Sequence, residues 1–325
     1  MRMHMSALLK LFPPPKFMVM RYAGLNINDD GIHCLEYGHV SHGLVISKYG
    51  ESALPMGLID GGDIQDEKKL TELLAEFDRA HDLSYVKVSV PEEKAYLFET
   101  DIVGPTDVRS VEQHIEFKLE ENVPLSAADA VFYFDLIRPA KAGDPVRASV
   151  SVVPRTYIEK YISILRGAGI FPVAFEVAPR ALVRAILPPA GSDTCLFVHV
   201  MDRKTGMYVV SHRVVSFTST LGSSSATQGD DALAVRVLSI AKEVGRIQSY
   251  WLSKNAGEPL KKVILVGRGA TEYEAPLGAA LAGFSVGVHV ADVWQNAFDV
   301  NKYVPAITRD ESLAYAVAAG LALPS

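Results

Sequence analysis

The alternation of apolar and polar residues along the chain predicts short strands separated by a few amphipathic helices. Near the N-terminus, "YAGLNI" and "IHCLEYG" flank a turn at residues 28–31, and this pattern predicts a hairpin because Asn, Asp and Gly tolerate positive φ. A third strand, "LVISKYG", follows a second turn. The segment "EKKLTELLAEFDRAH" predicts a helix capped by Asp66, since its apolar residues share one face. The apolar run "SYVKVSVP" predicts the next strand.

A separate group of predicted strands and helices follows that strand and ends near residue 169. "KAYLFETDIV", "AVFYFDLI" and "RASVSVVP" predict strands, whereas "TDVRSVEQHIEFKLEENV" and "RTYIEKYISILRGAG" predict helices, the second ending at glycines. The order strand, helix, strand, strand, helix predicts a compact α/β module inserted into a larger fold.

The second half of the chain resembles the first. "TCLFVHVMDRKTGMYVVSHRVVSFTSTLG" predicts three strands, and a Ser/Gly-rich linker at 222–231 precedes a helix over about 232–252. The strand "KKVILVG", the helix "EAPLGAALAGF", the strand "VGVHVADVW" and a last helix from about Ser312 follow. Two similar halves, each a meander followed by helices and strands, predict a two-lobed α/β protein.

Composition and charge exclude several classes of function. The net charge of -6, without a Lys/Arg-rich run, argues against nucleic acid as a partner. The two cysteines, Cys34 and Cys195, form no C-x-x-C pair, so neither a disulfide framework nor a zinc site is predicted. No run reaches the roughly 18 apolar residues that a membrane span requires. Prolines 13–15 interrupt the first apolar stretch, which argues against a secretory signal and favours a cytoplasmic protein.

The first residues allow two interpretations. One is a short basic amphipathic helix on a membrane surface, and the other is a docked or disordered terminus. The apolar and basic residues of this segment are Arg2, His4, Met5, Leu8, Leu9, Lys10, Leu11 and Phe12.

Several segments, in order from about Leu11 to Leu323, resemble the PilM family of type IV pilus assembly proteins, which is related to FtsA. They are "LFPPPKFMVMRYAGLNINDDGIHCLEY", "GLIDGGDIQDEKKL", "VSVPEEKAYLF", "IEFKLEENVPL", "FEVAPRALVRAILP", "VSFTSTLG", "VGRGA", "VADVWQNAFDVNKYVPAI" and "ESLAYAVAAGLAL". The resemblance implies a two-lobed actin-like (ribonuclease H-like) fold with an inserted 1C (SHS2-like) subdomain and a truncated subdomain 2B.

The resemblance also implies a division of the chain. An N-terminal tail covers residues 1–20. Subdomain 1A covers 21–84 and is completed by 170–189 and 312–325. The inserted subdomain 1C covers 85–169, and the second lobe covers 190–311. Within that lobe, subdomain 2B is reduced to a linker and a helix at about 222–252.

Nucleotide-binding loops of this superfamily need small residues and acidic residues to hold phosphates and magnesium. In the first loop Gly24 is kept, but Asn26 replaces an aspartate and Asn28 a small residue. Asp29 and Asp30 stand where small polar residues face the phosphates, and His33 replaces a lysine.

In the second loop His199 replaces an aspartate and Met201 a glycine, followed by Asp202 and Thr205. The adenosine-side loop keeps Gly267 and Gly269 around Arg268. These departures predict a pseudo-ATPase without catalytic residues or a resident cofactor, with ATP and magnesium bound weakly if at all.

Other interpretations of these residues remain open. The turn at 28–31 is also a good hairpin turn, and His199 is also a plausible strand histidine. His33, His39 and His42 invite a metal site, but their spacing crosses a turn, and the sequence shows no pattern of acceptors that would orient the rings. Asp29, Asp30 and Asp202 are compatible with a cation site without nucleotide. No metal site is predicted.

The resemblance further implies a scaffold at the inner face of the cytoplasmic membrane. It binds the N-terminal cytoplasmic tail of a PilN-like membrane protein between subdomains 1A and 1C, and it connects the pilus platform with motor components. Self-association is a further possibility. The candidate groove residues are Phe98, Phe117, Phe132, Phe134 and Tyr157, each of which is alternatively a core residue. The acidic run Glu116, Glu120 and Glu121 either meets a basic tail or is a solvated helix face. The alternatives in function are a nucleotide-gated switch or slow ATPase and an FtsA-like membrane tether.

Overall fold

The computed structural model of the chain describes residues 20–40, 43–137, 145–191, 193–222 and 230–324. The expectations for the N-terminal segment, for His42 and for most of the Ser/Gly-rich linker lie outside these residues. Within the described ranges, no helix combines the length and the apolar character needed to cross a bilayer.

The first lobe is built on a five-stranded sheet with the order β10-β6-β1-β2-β3. The first three strands form an antiparallel meander, and β6 and β10 are added parallel to β1. These strands are β1 (Ala23–Ile27), β2 (Gly31–Val40), β3 (Gly43–Ala53), β6 (Tyr85–Val90) and β10 (Phe171–Val177). A small hairpin, β4 (Ile59–Asp60) and β5 (Asp63–Ile64), precedes helix α1 (Glu67–His81). As predicted, the side chain of Asp66 accepts a hydrogen bond from the first turn of α1, at 2.8 Å from Lys69 N.

The second lobe repeats this topology, with the order β13-β12-β11-β14-β15. Its strands are β11 (Cys195–Val200), β12 (Lys204–Ser211), β13 (Val214–Gly222), β14 (Lys262–Val266) and β15 (Gly287–Val290). Again a three-stranded meander is followed by two parallel strands on the other side of its first strand. The prediction of a two-lobed α/β protein with similar halves is therefore confirmed.

The remaining helices lie between and around the sheets. They are α2 (Val108–Asn122), α3 (Arg155–Gly167), α4 (Ala178–Ile186), α5 (Asp230–Lys254), α6 (Glu274–Ala280), α7 (Arg309–Ser312) and α8 (Ala316–Ala322). The helix predicted from Ser312 is divided, because a short 3₁₀ turn at Leu313–Tyr315 separates α7 from α8.

Helix α8 lies directly on the first sheet and on helix α4. A β-carbon at Gly24 would lie 2.0 Å from the carbonyl oxygen of Ala318, and one at Gly320 would lie 1.9 Å from that of Ala181. These glycines let the backbones approach closely. Gly24 therefore serves the packing of α8, and it does not line the cleft between the lobes.

The inserted module is a three-stranded antiparallel sheet, β7 (Tyr96–Ile102), β9 (Val146–Pro154) and β8 (Ala130–Ile137) in spatial order, covered on one face by α2. The predicted boundaries of this module at residues 85 and 169 need correction. Strand β6 pairs with β1 and β10 in the first sheet, and α3 contributes Tyr161, Ile164 and Leu165 to the core of the first lobe. Both elements therefore belong to the first lobe, because their apolar faces are buried there.

Candidate functional site

The hairpin β1–β2 of the first lobe and the hairpin β11–β12 of the second lobe border a cleft. Its cavity has a volume of about 310 Å³. Of the residues predicted to hold nucleotide, those that line it are Asn26, Asn28, Asp30, His199, Asp202 and Gly267. His33, Glu51, Met201 and Arg268 also line the cavity. Six of the ten residues predicted to hold nucleotide thus line the cavity, and the prediction that they bind it stays a prediction.

The turn of the first hairpin is closed by its own side chain. Asn28 Oδ1 accepts hydrogen bonds from the backbone N–H groups of Asp30 and Gly31, at 3.0 and 3.1 Å. Gly31 N also lies 3.3 Å from the carbonyl oxygen of Asn28. A phosphate-binding turn needs such N–H groups to be free. In this turn they already have an acceptor.

The two carboxylates of this turn point in different directions. Asp29 accepts hydrogen bonds from Gly61 N at 3.1 Å and Gly62 N at 3.3 Å, and it lies 3.4 Å from Lys204 Nζ. The expectation that Asp29 faces the phosphate position is wrong, because these partners hold its side chain away from the cleft. The carboxylate of Asp30 does face the cleft.

Asp30 connects the two lobes. Its Oδ2 accepts a hydrogen bond from the backbone N–H of Asp202 at 2.9 Å, across 172 positions of sequence. Burial raises the pKa of Asp30, and the nearby Asp202 and Asp29 raise it further, although the hydrogen bond from Asp202 N opposes this. The Asp30 carboxylate thus already accepts the hydrogen bond that the backbone N–H of Asp202, in the second hairpin, can donate.

The turn of the second hairpin is fixed from outside the cleft by Arg236 of helix α5. The Arg236 guanidinium donates to the carbonyl oxygens of Met201 and Lys204, the latter at 2.8 Å, and to Thr205 Oγ1 at 3.1 Å. Thr205 is buried beside this guanidinium and does not line the cavity.

Two histidines in the cavity wall are uncharged at neutral pH. Burial lowers the pKa of His33 to about 4 and that of His199 to about 3. Beside His199, the hydroxyl of Tyr208 donates a hydrogen bond to Glu92 Oε1 at 2.7 Å. Position 33, where the resemblance implies a lysine, therefore presents a neutral ring to the cavity.

Charge in the cavity wall is predominantly negative. Asp30, Glu51 and Asp202 carry carboxylates, and Arg268 is the cationic residue among the described residues that line the cavity. Arg268 pairs with Glu51, whereas Lys204 is directed away, towards Glu93 at 2.5 Å. Within the described ranges, no group of three or more His, Cys, Asp or Glu side chains is placed to hold a metal ion.

The residues that the resemblance assigns to the magnesium and adenosine positions already have partners or lie outside the cavity. Asn26 Oδ1 accepts a hydrogen bond from Ser89 Oγ at 2.7 Å, so its carbonyl is already paired. Gly267 has φ +104 and lies against Val200, where a β-carbon would be 1.9 Å from the carbonyl oxygen. Gly269 (φ +72) begins the next 3₁₀ turn and does not line the cavity.

A second cavity, the groove, lies where the inserted module meets the first sheet. Its volume is about 340 Å³, and both β10 and β8, the edge strands of their sheets, contribute to its walls. The side chains that face it are mainly apolar, among them Val131, Val153, Ile158 and Phe175.

One end of the groove is polar. The Arg180 guanidinium stacks on the ring of Tyr133 at 3.7 Å from its centroid and donates to Asp135 at 2.9 Å and Glu176 at 2.7 Å. The groove therefore has an apolar floor and an ordered, charged end.

Comparison with known proteins decides the family. Residues 24–229 match the family model described as type IV pilus assembly protein PilM. The chain belongs to the PilM family. None of the curated proteins matches it significantly.

Similarity to solved structures gives the fold. A solved PilM-PilN type IV pilus biogenesis complex superposes with a TM-score of 0.75 and 18% identity, covering 93% of this chain and 98% of that chain. The ethanolamine utilization protein EutJ from Carboxydothermus hydrogenoformans gives a TM-score of 0.50 and 12% identity, covering 96% and 90%. The fold is the actin-like fold, as the resemblance implied.

Of the five aromatic residues predicted for the groove, Phe132 borders it, although its ring packs into the core of the inserted module. Successive residues of β8 point to opposite faces, so Phe132 and Phe134 pack towards α2, as Phe98 of β7 does. The aromatic residue that β8 turns to the groove is Tyr133. Phe117 is 76% exposed on α2, and the Tyr157 hydroxyl donates to the carbonyl oxygen of Gly62 at 2.9 Å.

Sequence reasoning missed the residues that line the groove from the odd-numbered positions of β8, from β9, from β10 and from helix α4. They include Val131, Tyr133, Val153, Phe175 and Arg180. The period-2 pattern of "AVFYFDLI" was the available signal, because one face of this strand had to be covered by α2.

Proposed function

We propose that this chain is a scaffold of type IV pilus assembly that binds the cytoplasmic tail of a PilN-like membrane protein in the groove and does not hydrolyse ATP. The match to the PilM family over residues 24–229 supports the assembly role. The similar solved structure is a complex of PilM with PilN, which suggests the class of partner. The proposal places the chain at the cytoplasmic face of the inner membrane, next to the pilus platform and its motor.

The observation that carries the peptide-binding part is the groove between two sheet edges. An extended segment is suited to such a site, since its backbone pairs with an exposed strand while alternate side chains enter pockets. Both β8 and β10 are edge strands, and apolar side chains lie between them. At the polar end, Tyr133 and the ion cluster of Arg180 with Asp135 and Glu176 supply polar contacts for the segment.

We expect Val131→Asp to weaken binding of a PilN-like tail peptide by about tenfold or more, because a charge would then occupy the apolar floor. Val131 is 38% exposed, so the substitution leaves the cores of both sheets intact. Isothermal titration of the full chain with the synthetic tail peptide measures the change in Kd.

The matched control is Val108→Asp on the exposed start of α2, where the valine is 62% exposed and does not line the groove. This variant should bind the peptide as the unaltered chain does. Equal affinities for the two variants, or no binding of the peptide by the unaltered chain, would contradict the assignment of the groove.

The paired groups of the cleft support the absence of ATP hydrolysis. The amides of the first turn donate to Asn28, and the donor of Asp202 is taken by Asp30. A nucleoside triphosphate would have to break these hydrogen bonds. It would also have to enter a cavity whose wall carries three carboxylates and one guanidinium. Repulsion between like charges in a partly buried site opposes that entry.

Magnesium and ATP should therefore leave the melting temperature of the chain unchanged. The alternative function, a nucleotide-gated switch, predicts stabilisation of about 2.7 kcal/mol at a ligand concentration 100 times its Kd. Differential scanning fluorimetry with increasing Mg-ATP separates the two, with an ATP-binding actin-like protein in the same buffer as the positive control. A saturable rise in melting temperature would favour the switch.

A further inference from the structure

The cleft holds buried polar groups that lack partners. Asp30 Oδ1 and both ring nitrogens of His33 are buried without a hydrogen bond to any described residue. His33 is 8% exposed, and its Nε2 lies 3.7 Å from the Glu51 carboxylate, beyond hydrogen-bond distance. Asp30, His33 and Glu51 line the same cavity. Unpaired buried groups are costly, so such a set indicates a site that is completed by a ligand.

The charges of the wall indicate the sign of that ligand. Arg268 is paired with Glu51, which leaves the carboxylates of Asp30 and Asp202 without a cationic side chain from the lining residues. The buried Lys204 lies against Glu93 and Asp29 instead. A positive ligand is therefore attracted and an anionic one repelled.

The hydrogen-bonding groups of the cavity narrow the chemical class of the ligand further. The free oxygen of Asp30 accepts, and a neutral imidazole such as that of His33 offers one acceptor and one donor. A ligand with several N–H donors satisfies these acceptors together. The volume of about 310 Å³ lies at the lower end of ligand pockets, which begin near 300 Å³. A short aliphatic chain with a charged nitrogen fits that size.

We propose that the cleft between the lobes binds a small organic cation bearing a primary ammonium group, which contacts Asp30 and His33. This site differs from a nucleotide site in the sign of its ligand. It goes beyond the scaffold role and does not depend on peptide binding in the groove. The ammonium donates to Asp30 Oδ1 and to the unprotonated ring nitrogen of His33.

The test uses putrescine (butane-1,4-diamine) as the probe and butane-1,4-diol as the uncharged control of the same length. Titration of the full chain, followed by calorimetry and by the NMR signals of the probe, should show saturable binding of the diamine and none of the diol. Asp30→Asn should weaken diamine binding at least tenfold, whereas the exposed Asp60→Asn should leave it unchanged.

Because Asp30 also accepts from Asp202 N, a second variant, His33→Phe, removes the ring nitrogens without touching that bond, and it should also weaken binding. Circular dichroism confirms that each variant is folded. Absence of saturable binding, equal binding of the diol, or unchanged binding in both variants would overturn the proposal. Tail-peptide titrations on the same samples report on the groove separately, so a failure of one site is distinguished from a failure of the other.

Discussion

Replacing Lys204 with methionine is expected to lower the free energy of unfolding by about 3–5 kcal/mol, the cost of breaking a buried ion pair. The side chain of Lys204 is 7% exposed, and its Nζ lies 2.5 Å from Glu93 and 3.4 Å from Asp29. Burial acts to lower its pKa, but the two partners and Glu92 outweigh this and raise it. Without the lysine, the carboxylates of Glu93 and Asp29 remain buried and lack their cationic partner.

The effect should include the relative position of the lobes, because Lys204 belongs to β12 of the second lobe and its partners to the first. Urea unfolding measures the stability, and hydrogen exchange at the turns of both hairpins measures local opening. The control is Lys69→Met, which removes an exposed pair with Glu72 at 3.8 Å and should cost at most about 1 kcal/mol.

A further variant, Lys204→Met combined with Glu93→Gln, removes one of the stranded charges and should recover part of the loss. If Lys204→Met changes the free energy of unfolding by less than the Lys69 control, the ion cluster does not stabilise the contact between the lobes.

The second large effect is a loss of stability on acidification, caused by the two buried histidines. The pKa of His33 is about 4 and that of His199 about 3 in the folded chain, against an ordinary value of 6.5. Between the folded and the ordinary pKa values, these two histidines bind protons in the unfolded chain but not in the folded chain. The free energy of unfolding therefore falls as the pH decreases from 6.5 towards 4.

Well below pH 6.5 each histidine contributes a slope of about 1.4 kcal/mol per pH unit. Because the unfolded rings are only half protonated at pH 6.5, the pair accounts for about 3 kcal/mol between pH 6.5 and 5. The raised pKa values of Asp30 and Glu92 act in the opposite direction, because the folded chain holds their protons to higher pH. A comparison between variants isolates the histidines, since these carboxyl groups are common to both.

Urea unfolding at several pH values measures this slope. The double variant His33→Asn and His199→Asn should show a shallower decline below pH 6.5 than the unaltered chain. A control, His289→Asn, replaces a histidine outside the cleft, on β15. Equal slopes for the unaltered chain and the double variant would mean that the two rings are charged in the folded state.

Much of the architecture was accessible from the sequence because it depends on local patterns. The turn at residues 28–31, the cap at Asp66 and the two similar halves follow from residue type and period. The position of the cleft followed from the resemblance to the PilM family, which implies one loop from each of two similar lobes. Asn26, Asn28 and His199 were placed in its wall correctly.

The sequence-based predictions were wrong where a contact between residues far apart in sequence sets the direction of a side chain or the sheet that a strand joins. Asp29 and Asp30 are neighbours in sequence, but Asp29 turns to Gly61, Gly62 and Lys204 while Asp30 turns to Asp202. Strand β6 looked like the start of the inserted module, because a run of apolar residues does not reveal which sheet it joins. Its pairing with β1 and β10 settles that question.

The sequence by itself determined the order of the elements, the two lobes and the PilM family, and through the resemblance it predicts the loss of ordinary phosphate-binding residues. The tertiary structure alone decided that Tyr133, and not Phe134, faces the groove, that Gly24 serves the packing of α8, and that Lys204 leaves the cleft. Local patterns fix the period and the ends of each element. The direction of each side chain depends on partners far away in the chain, whose positions only the folded backbone defines.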